Sequence, residues 1–199
     1  MRAALIVFDG MTALDFFGFY DPVTRLKSMG ILPGFEWRLC AAASEVRDDR
    51  GARFGADAVR EPLGGYDLVF VPGGFGTRAL QHDAGFIAWL QTAAPAPLKV
   101  SVCTGALLLG AAGFLRGRRA TTHPNAYGEL AGYCGQVLDE RVVDEGDVVT
   151  ARGVSSSIDL GLHVAERLAG AEARARIAKQ MDYPYRWEAV AGPPPAIGD

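Results

Sequence analysis

An α/β sandwich, with a mostly parallel central sheet covered by helices on both faces, is the fold this sequence predicts, and two patterns carry the prediction. Residues 3–8 and 67–71 form short, nearly continuous apolar runs. Such runs mark strands buried on both faces, whereas a strand with one wet face alternates polar and apolar residues. Between the runs lie stretches with helical apolar spacing, so strands and helices alternate as they do around a parallel sheet. At 199 residues the chain is the size of one domain with a substantial core. We place that domain at residues 1–190 and expect the tail 191–199, with three consecutive prolines, to be structureless.

Taken in order, residues 3–8 open the sheet and end at Asp9-Gly10. Leu14, Phe17, Tyr20, Val23, Leu26 and Met29 then recur every third position, which predicts an amphipathic helix closed by Gly30. Residues 37–42 read as the second strand, and the glycine-punctuated segment 46–59 as a hairpin excursion. The strand at 67–71 runs into Pro72-Gly73-Gly74-Phe75-Gly76, a loop whose glycines allow close backbone approach. A helix at 79–93, the strand 99–102, a helix at 105–113, a short strand near Ala120 and a helix at 125–132 continue the alternation. Residues 141–143 and 148–151 form a hairpin about Glu145-Gly146, and two helices follow at 155–168 and 171–181.

Composition excludes several function classes. Twenty basic residues face 23 acidic ones, for a net charge of −3, and the arginines are scattered among carboxylates. That is no footprint for nucleic acid. The three cysteines, Cys40, Cys103 and Cys134, form no C-x-x-C pair, and the three histidines share no metal-ligand spacing with them, so no metal is expected. The apolar run at residues 3–8 is too short for a secretory leader, and an odd cysteine count suits a reducing compartment, which gives a cytoplasmic expectation. No apolar run approaches the roughly 20 residues of a membrane span.

In an open α/β sheet, ligands gather at the carboxyl ends of the strands. Three segments stand there: Asp15 after the first strand, the Pro72–Gly76 loop with Gly73 and Gly74 after the third, and Val102-Cys103-Thr104-Gly105-Ala106 after the fourth. A strand ending at Val102 and a helix starting near Gly105 place Cys103 in a sharp turn, the logic of a nucleophile elbow. The helix N-terminus would stabilise a thiolate and lower the thiol pKa. The competing reading is a small buried hydrophobe, as free cysteines usually are. Asp15 sits among Leu14, Phe16 and Phe17, which would desolvate its carboxyl and raise its pKa; alternatively it caps the helix that begins there. Gly73 and Gly74 would offer N–H groups to a ligand, or simply satisfy a tight turn. Thr104 would support the sulfur, or merely start a helix. His123 is read as structural and is not assigned as a base.

The segments Ser101-Val102-Cys103-Thr104-Gly105-Ala106, Gly117-Arg118-Arg119-Ala120-Thr121-Thr122-His123 and Pro72-Gly73-Gly74 resemble the ThiJ/PfpI superfamily. With Leu14-Asp15-Phe16, Gly153-Val154 and Ile158-Asp159-Leu160, the resemblance is strongest to its isocyanide hydratases and spans residues 3–170. It implies a flavodoxin-like three-layer sandwich, a homodimer, Cys103 as nucleophile and Asp15 as general acid and base, with no cofactor. The substrate would be a small molecule, an organic isocyanide hydrated to a formamide. The alternative is a sensor domain in which the same cysteine binds or is oxidised without turnover. Peptidases of the superfamily carry histidine where this chain has Thr104, which disfavours proteolysis. The deglycase-like relatives carry glutamate where Asp15 stands. Pro124 also departs from the pattern, standing where the hydratases carry a bulky aromatic.

Overall fold

The computed structural model describes residues 1–184. The expected structureless tail, residues 191–199, lies outside them. The elements are β1 (Arg2–Ile6), α1 (Ala13–Ser28), β2 (Glu36–Ala41), β3 (Glu45–Arg47), β4 (Arg53–Gly55), β5 (Ala58–Val59), β6 (Leu68–Val71), α2 (Thr77–Leu80), α3 (Ala84–Gln91), β7 (Leu98–Val102), α4 (Gly105–Ala111), β8 (Arg119–Ala120), α5 (Tyr127–Leu130), β9 (Gln136–Val137), β10 (Val142–Asp144), β11 (Val148–Ala151) and α6 (Ser156–Gln180).

A seven-stranded sheet runs β10-β11-β7-β6-β1-β2-β5 and is parallel throughout except for the edge strand β10. The apolar runs lie at its centre: every residue of β6 is buried, as are four of the five in β1, and β7 beside them is wholly buried although it carries Lys99 and Ser101. Helices cover both faces, with α1 packed on α6 and α4 at the hub of α2, α3 and α5. This is the flavodoxin-like three-layer arrangement.

Four local expectations change. The helix expected at 79–93 is two, because Asp83 stops the chain and caps α3, accepting from the N–H groups of Gly85 at 2.8 Å and Phe86 at 3.0 Å. A local side-chain cap there outcompetes continuity of the apolar pattern. The helix expected at 125–132 is a single 3₁₀ turn followed by the four-residue α5. The excursion at 46–59 is a hairpin only through β3 and β4, while β5 turns back to extend the main sheet beside β2. The strand near Ala120 pairs with β9, outside the main sheet. As expected, the last helical region is broken, at Gly170, where φ is 85°.

The seam between α1 and α6 depends on missing side chains. A Cβ on Gly18 would stand 1.9 Å from Ser157 Oγ, and one on Gly161 would stand 2.4 Å from Pro22 Cγ and 3.0 Å from the Phe19 carbonyl oxygen. A proline ring and a main chain cannot swing aside, so the helices would have to part. Gly161→Ala is therefore expected to lose about 1–3 kcal/mol of stability through overpacking. This exceeds the roughly 1 kcal/mol that alanine gains over glycine in a helix. Urea denaturation reads the net loss, and an unchanged or higher midpoint would contradict this packing.

Candidate active site

Because β7, β6 and β1 are neighbours in the sheet, their carboxyl ends bring Cys103, Gly73-Gly74 and Asp15 together, although 88 residues separate Asp15 from Cys103 in sequence. The order in which strands are added reverses between β1 and β6, with β2 and β5 on one side and β6, β7 and β11 on the other, which makes this the switch point where open α/β sheets form crevices.

Cys103 occupies the turn between β7 and α4 with φ of 54°. A non-glycine residue in that left-handed region costs roughly 1–2 kcal/mol, and the surroundings hold it there. Its N–H donates to the carbonyls of Ala151 at 3.0 Å and Arg152 at 2.7 Å, while its carbonyl accepts from Thr122 Oγ1 at 2.7 Å. The chain can turn so tightly only because residue 105 is glycine, since a Cβ there would sit 2.3 Å from the Val71 carbonyl oxygen.

Gly73 is the hub. A Cβ at that position would lie within 2.7 Å of the Thr104 nitrogen, Asp15 Oδ2 and Cys103 Cβ alike. Its bare N–H donates to Asp15 Oδ2 at 3.0 Å. Gly74 exchanges hydrogen bonds with Thr104: its N–H donates to Thr104 Oγ1 at 3.0 Å, and that hydroxyl donates back to the Gly74 carbonyl at 3.1 Å. The Thr104 hydroxyl is thus engaged in holding the glycine loop. Asp15 is not a helix cap, since Thr12 holds the N-cap position and the Asp15 side chain points inward, fully buried.

Burial dominates the electrostatics. It raises the Asp15 carboxyl to about 7; the Gly73 N–H and the Cys103 thiol oppose the rise, and the charge of Asp49 adds to it. The expected direction and its cause, desolvation, both hold, but the cover is partly different: Phe16 is buried, Leu14 and Phe17 are half exposed, and the glycine loop docks upon the carboxyl. The expected lowering of the thiol does not occur. Burial and then the neighbouring Asp15 charge push Cys103 up to about 12, against partial support from the N–H and hydroxyl of Thr104. The helix that follows has only seven residues, and its dipole cannot outweigh a buried carboxylate next door. The two groups form one unit that keeps a single proton across the neutral and alkaline range.

Above the sulfur lies a cavity of about 160 Å³, lined by Cys103, Thr104, Gly74, Thr12, Phe75, Arg78, His123, Asn125 and Val154. Thr12, Arg78 and Asn125 were not singled out from the sequence, and Phe75 and Val154 stood there only within the glycine loop and the Gly153-Val154 string. His123 reaches the cavity wall, where its Nδ1 accepts from the Asn125 N–H at 3.2 Å. Among the described residues no group of three or more His, Cys, Asp or Glu side chains is placed to hold a metal, and no helix is long and apolar enough to cross a membrane.

A parallel α/β sandwich with a cysteine elbow facing a buried carboxyl defines a class of cysteine-centred flavodoxin-like proteins. The sequence profile of the DJ-1/PfpI family matches residues 1–167, and the chain belongs to that family. It is 31% identical over 185 residues to the isonitrile hydratase of Pseudomonas putida, an alignment covering 92% of this chain and 78% of that protein. A ThiJ/PfpI family protein from Pseudomonas syringae superposes with a TM-score of 0.82 at 29% identity, covering 100% of this chain and 78% of the other. DJ-1beta of Drosophila melanogaster shares the fold, with a TM-score of 0.79 at 23% identity over 92% of this chain and 98% of its own.

Proposed function

We propose that this protein hydrates a small organic isocyanide to an N-substituted formamide, with Cys103 as nucleophile and Asp15 as general acid and base. The observation that carries the reading is a cavity-lining thiol, Cys103, hydrogen-bonded to the Asp15 carboxyl buried beside it. The similarity to an isonitrile hydratase supports it. A terminal isocyanide carbon needs a nucleophile and a proton at the same atom, and this pair supplies both. In the reactive arrangement the proton rests on Asp15 and the sulfur is a thiolate. Sulfur bonds to the carbon as Asp15 protonates that carbon, which gives a thioimidate and leaves Asp15 ionised. Water then adds to the carbon, one of its protons passing by way of Asp15 to the imine nitrogen. Collapse breaks the carbon–sulfur bond while the remaining hydroxyl proton returns to Asp15, releasing the formamide.

Incubation with an alkyl or aryl isocyanide, with formamide read by mass spectrometry, tests the reading; no formamide from any isocyanide tried would overturn it. The pH dependence follows from the pair. Below about 7 both groups are protonated and the thiolate is missing, whereas above it one proton remains to be placed on either group. The value of kcat/KM is expected to rise through pH 7 and then hold on the alkaline side. A profile falling from pH 7 to 9 would contradict a shared proton.

The same reading includes a homodimer and a cytoplasmic location. Leu14 and Phe17, half exposed on α1, and Phe75, more exposed still, offer apolar surface near the cavity. Sedimentation is expected to give twice 21.2 kDa, and a monomer at micromolar concentration would contradict it.

A further inference from the structure

Thr12 lines the cavity beside Cys103 and Thr104, yet its hydroxyl proton is directed elsewhere. Thr12 Oγ1 donates to Oδ2 of Asp49 at 3.0 Å, across 37 residues of sequence. Asp49 lies in the turn of the β3–β4 hairpin, and its own N–H donates to the Met11 carbonyl at 2.8 Å, so the hairpin is stitched to the loop that leads into α1. A hydroxyl has one proton and two lone pairs. With the proton given to a carboxylate, Thr12 can only accept from whatever enters the cavity. The Thr104 hydroxyl, by contrast, is engaged in both directions by Gly74.

Thr12 is also fixed relative to the general base. Its N–H donates to the Gly73 carbonyl at 2.9 Å, the Gly73 N–H donates to Asp15 Oδ2 at 3.0 Å, and the Asp15 N–H donates to the Thr12 carbonyl at 3.0 Å. This closed circuit fixes Thr12, which lines the cavity, relative to the Asp15 carboxyl buried beside Cys103. A water molecule has two protons to give.

We propose that Thr12, oriented by Asp49, accepts one hydrogen bond from the water that attacks the thioimidate while Asp15 accepts the other. The inference rests on the hydration reading and concerns its second half. The water oxygen bonds to the imidoyl carbon, the π pair of the C=N bond moves to nitrogen, and the proton on the Asp15 side is the one transferred. The proton facing Thr12 stays on oxygen until collapse expels Cys103. Asp49 is a positioning residue that touches neither water nor thioimidate; its charge also helps to keep a proton on Asp15 before the first step.

The test uses Thr12→Val, which keeps the shape and removes the acceptor, and Thr12→Ser, which restores it. Under turnover with an isocyanide, the valine variant is expected to show about tenfold lower kcat, the effect of one hydrogen bond. Acid-quenched intact-mass spectra should show the Cys103 adduct accumulating, with adduct formation in the first turnover close to wild type. Serine should return both readouts toward wild type. Asp49→Ala leaves Thr12 in place but frees its proton to point into the cavity, and is expected to accumulate the adduct as well. Wild-type turnover in both variants without adduct, or an equal slowing of adduct formation, would overturn the proposal while leaving the hydration reading intact. Absence of formamide from the wild-type protein would overturn both.

Discussion

Cys103→Ala is expected to reduce formamide production to the uncatalysed background while leaving the fold in place. The alanine removes only the sulfur from a residue whose main chain is held at both its N–H and its carbonyl. Cys103→Ser should leave a trace at most, because a serine hydroxyl is far less ionised than a thiol and a weaker nucleophile. Covalent labelling separates the ways this can come out. A wild-type protein that forms formamide, beside an alanine variant that neither turns over nor takes up mass, places the bond at Cys103. A wild-type protein that gains a stable adduct at Cys103 and never releases formamide is a sensor, the reading set against hydration from the start. Alanine retaining more than a tenth of wild-type activity would remove the cysteine from the mechanism.

The two levels of description agree where a single stretch of chain determines the outcome. Residues 67–71 announce a strand buried on both faces because no polar residue interrupts the run from Leu68 to Val71. Cys103 announces a turn because strand-like residues precede it and Gly105 follows, and that glycine is required by the Val71 carbonyl pressed against it. Asp15 was legible as a site residue by its place after β1, but not its surroundings. Of the neighbours that were to desolvate it, Phe16 is buried while Leu14 and Phe17 are half exposed, and further cover comes from a loop 58 residues away.

What escaped the sequence depends on several segments at once. The thiol's direction was misjudged because a helix start can be read locally, whereas the charge of Asp15 and the depth of burial belong to the assembled sheet. Arg78 on α2 and Asn125 in the 3₁₀ turn reach the cavity from elements far apart in sequence. Asp49 gave no signal at all: it sits in a polar, glycine-punctuated stretch that reads only as a hairpin, and its bond to Thr12 exists because that hairpin folds back over the end of β1.

Asp15→Asn is expected to trade activity for stability, and the sign of the stability change depends on pH. The amide cannot exchange a proton, so hydration should slow by ~10²–10⁴-fold. In the wild-type protein the carboxyl titrates near 3.8 when the chain is unfolded and at about 7 when it is folded. Below pH 4 both states hold the proton and the group has no effect on folding. As pH rises from 4 to 7 the unfolded chain ionises while the folded one resists, so stability falls; above 7 the loss is complete, on the order of 4 kcal/mol for a shift of that size. Asparagine accepts from the Gly73 N–H as a carboxyl does but carries no charge at any pH. The variant should therefore gain on the wild type between pH 4 and pH 8, by roughly 2–4 kcal/mol in the difference between the two urea curves at each pH. Subtracting the two conditions removes the cost of the amide itself. In the same variant burial still raises the Cys103 thiol but the further push of the Asp15 charge is gone, so its alkylation by iodoacetamide at pH 8 should be faster than in the wild type even as turnover collapses. Equal stability differences at pH 4 and pH 8 would show that the Asp15 carboxyl is not held protonated by burial, and would remove it as the acid that protonates the isocyanide carbon.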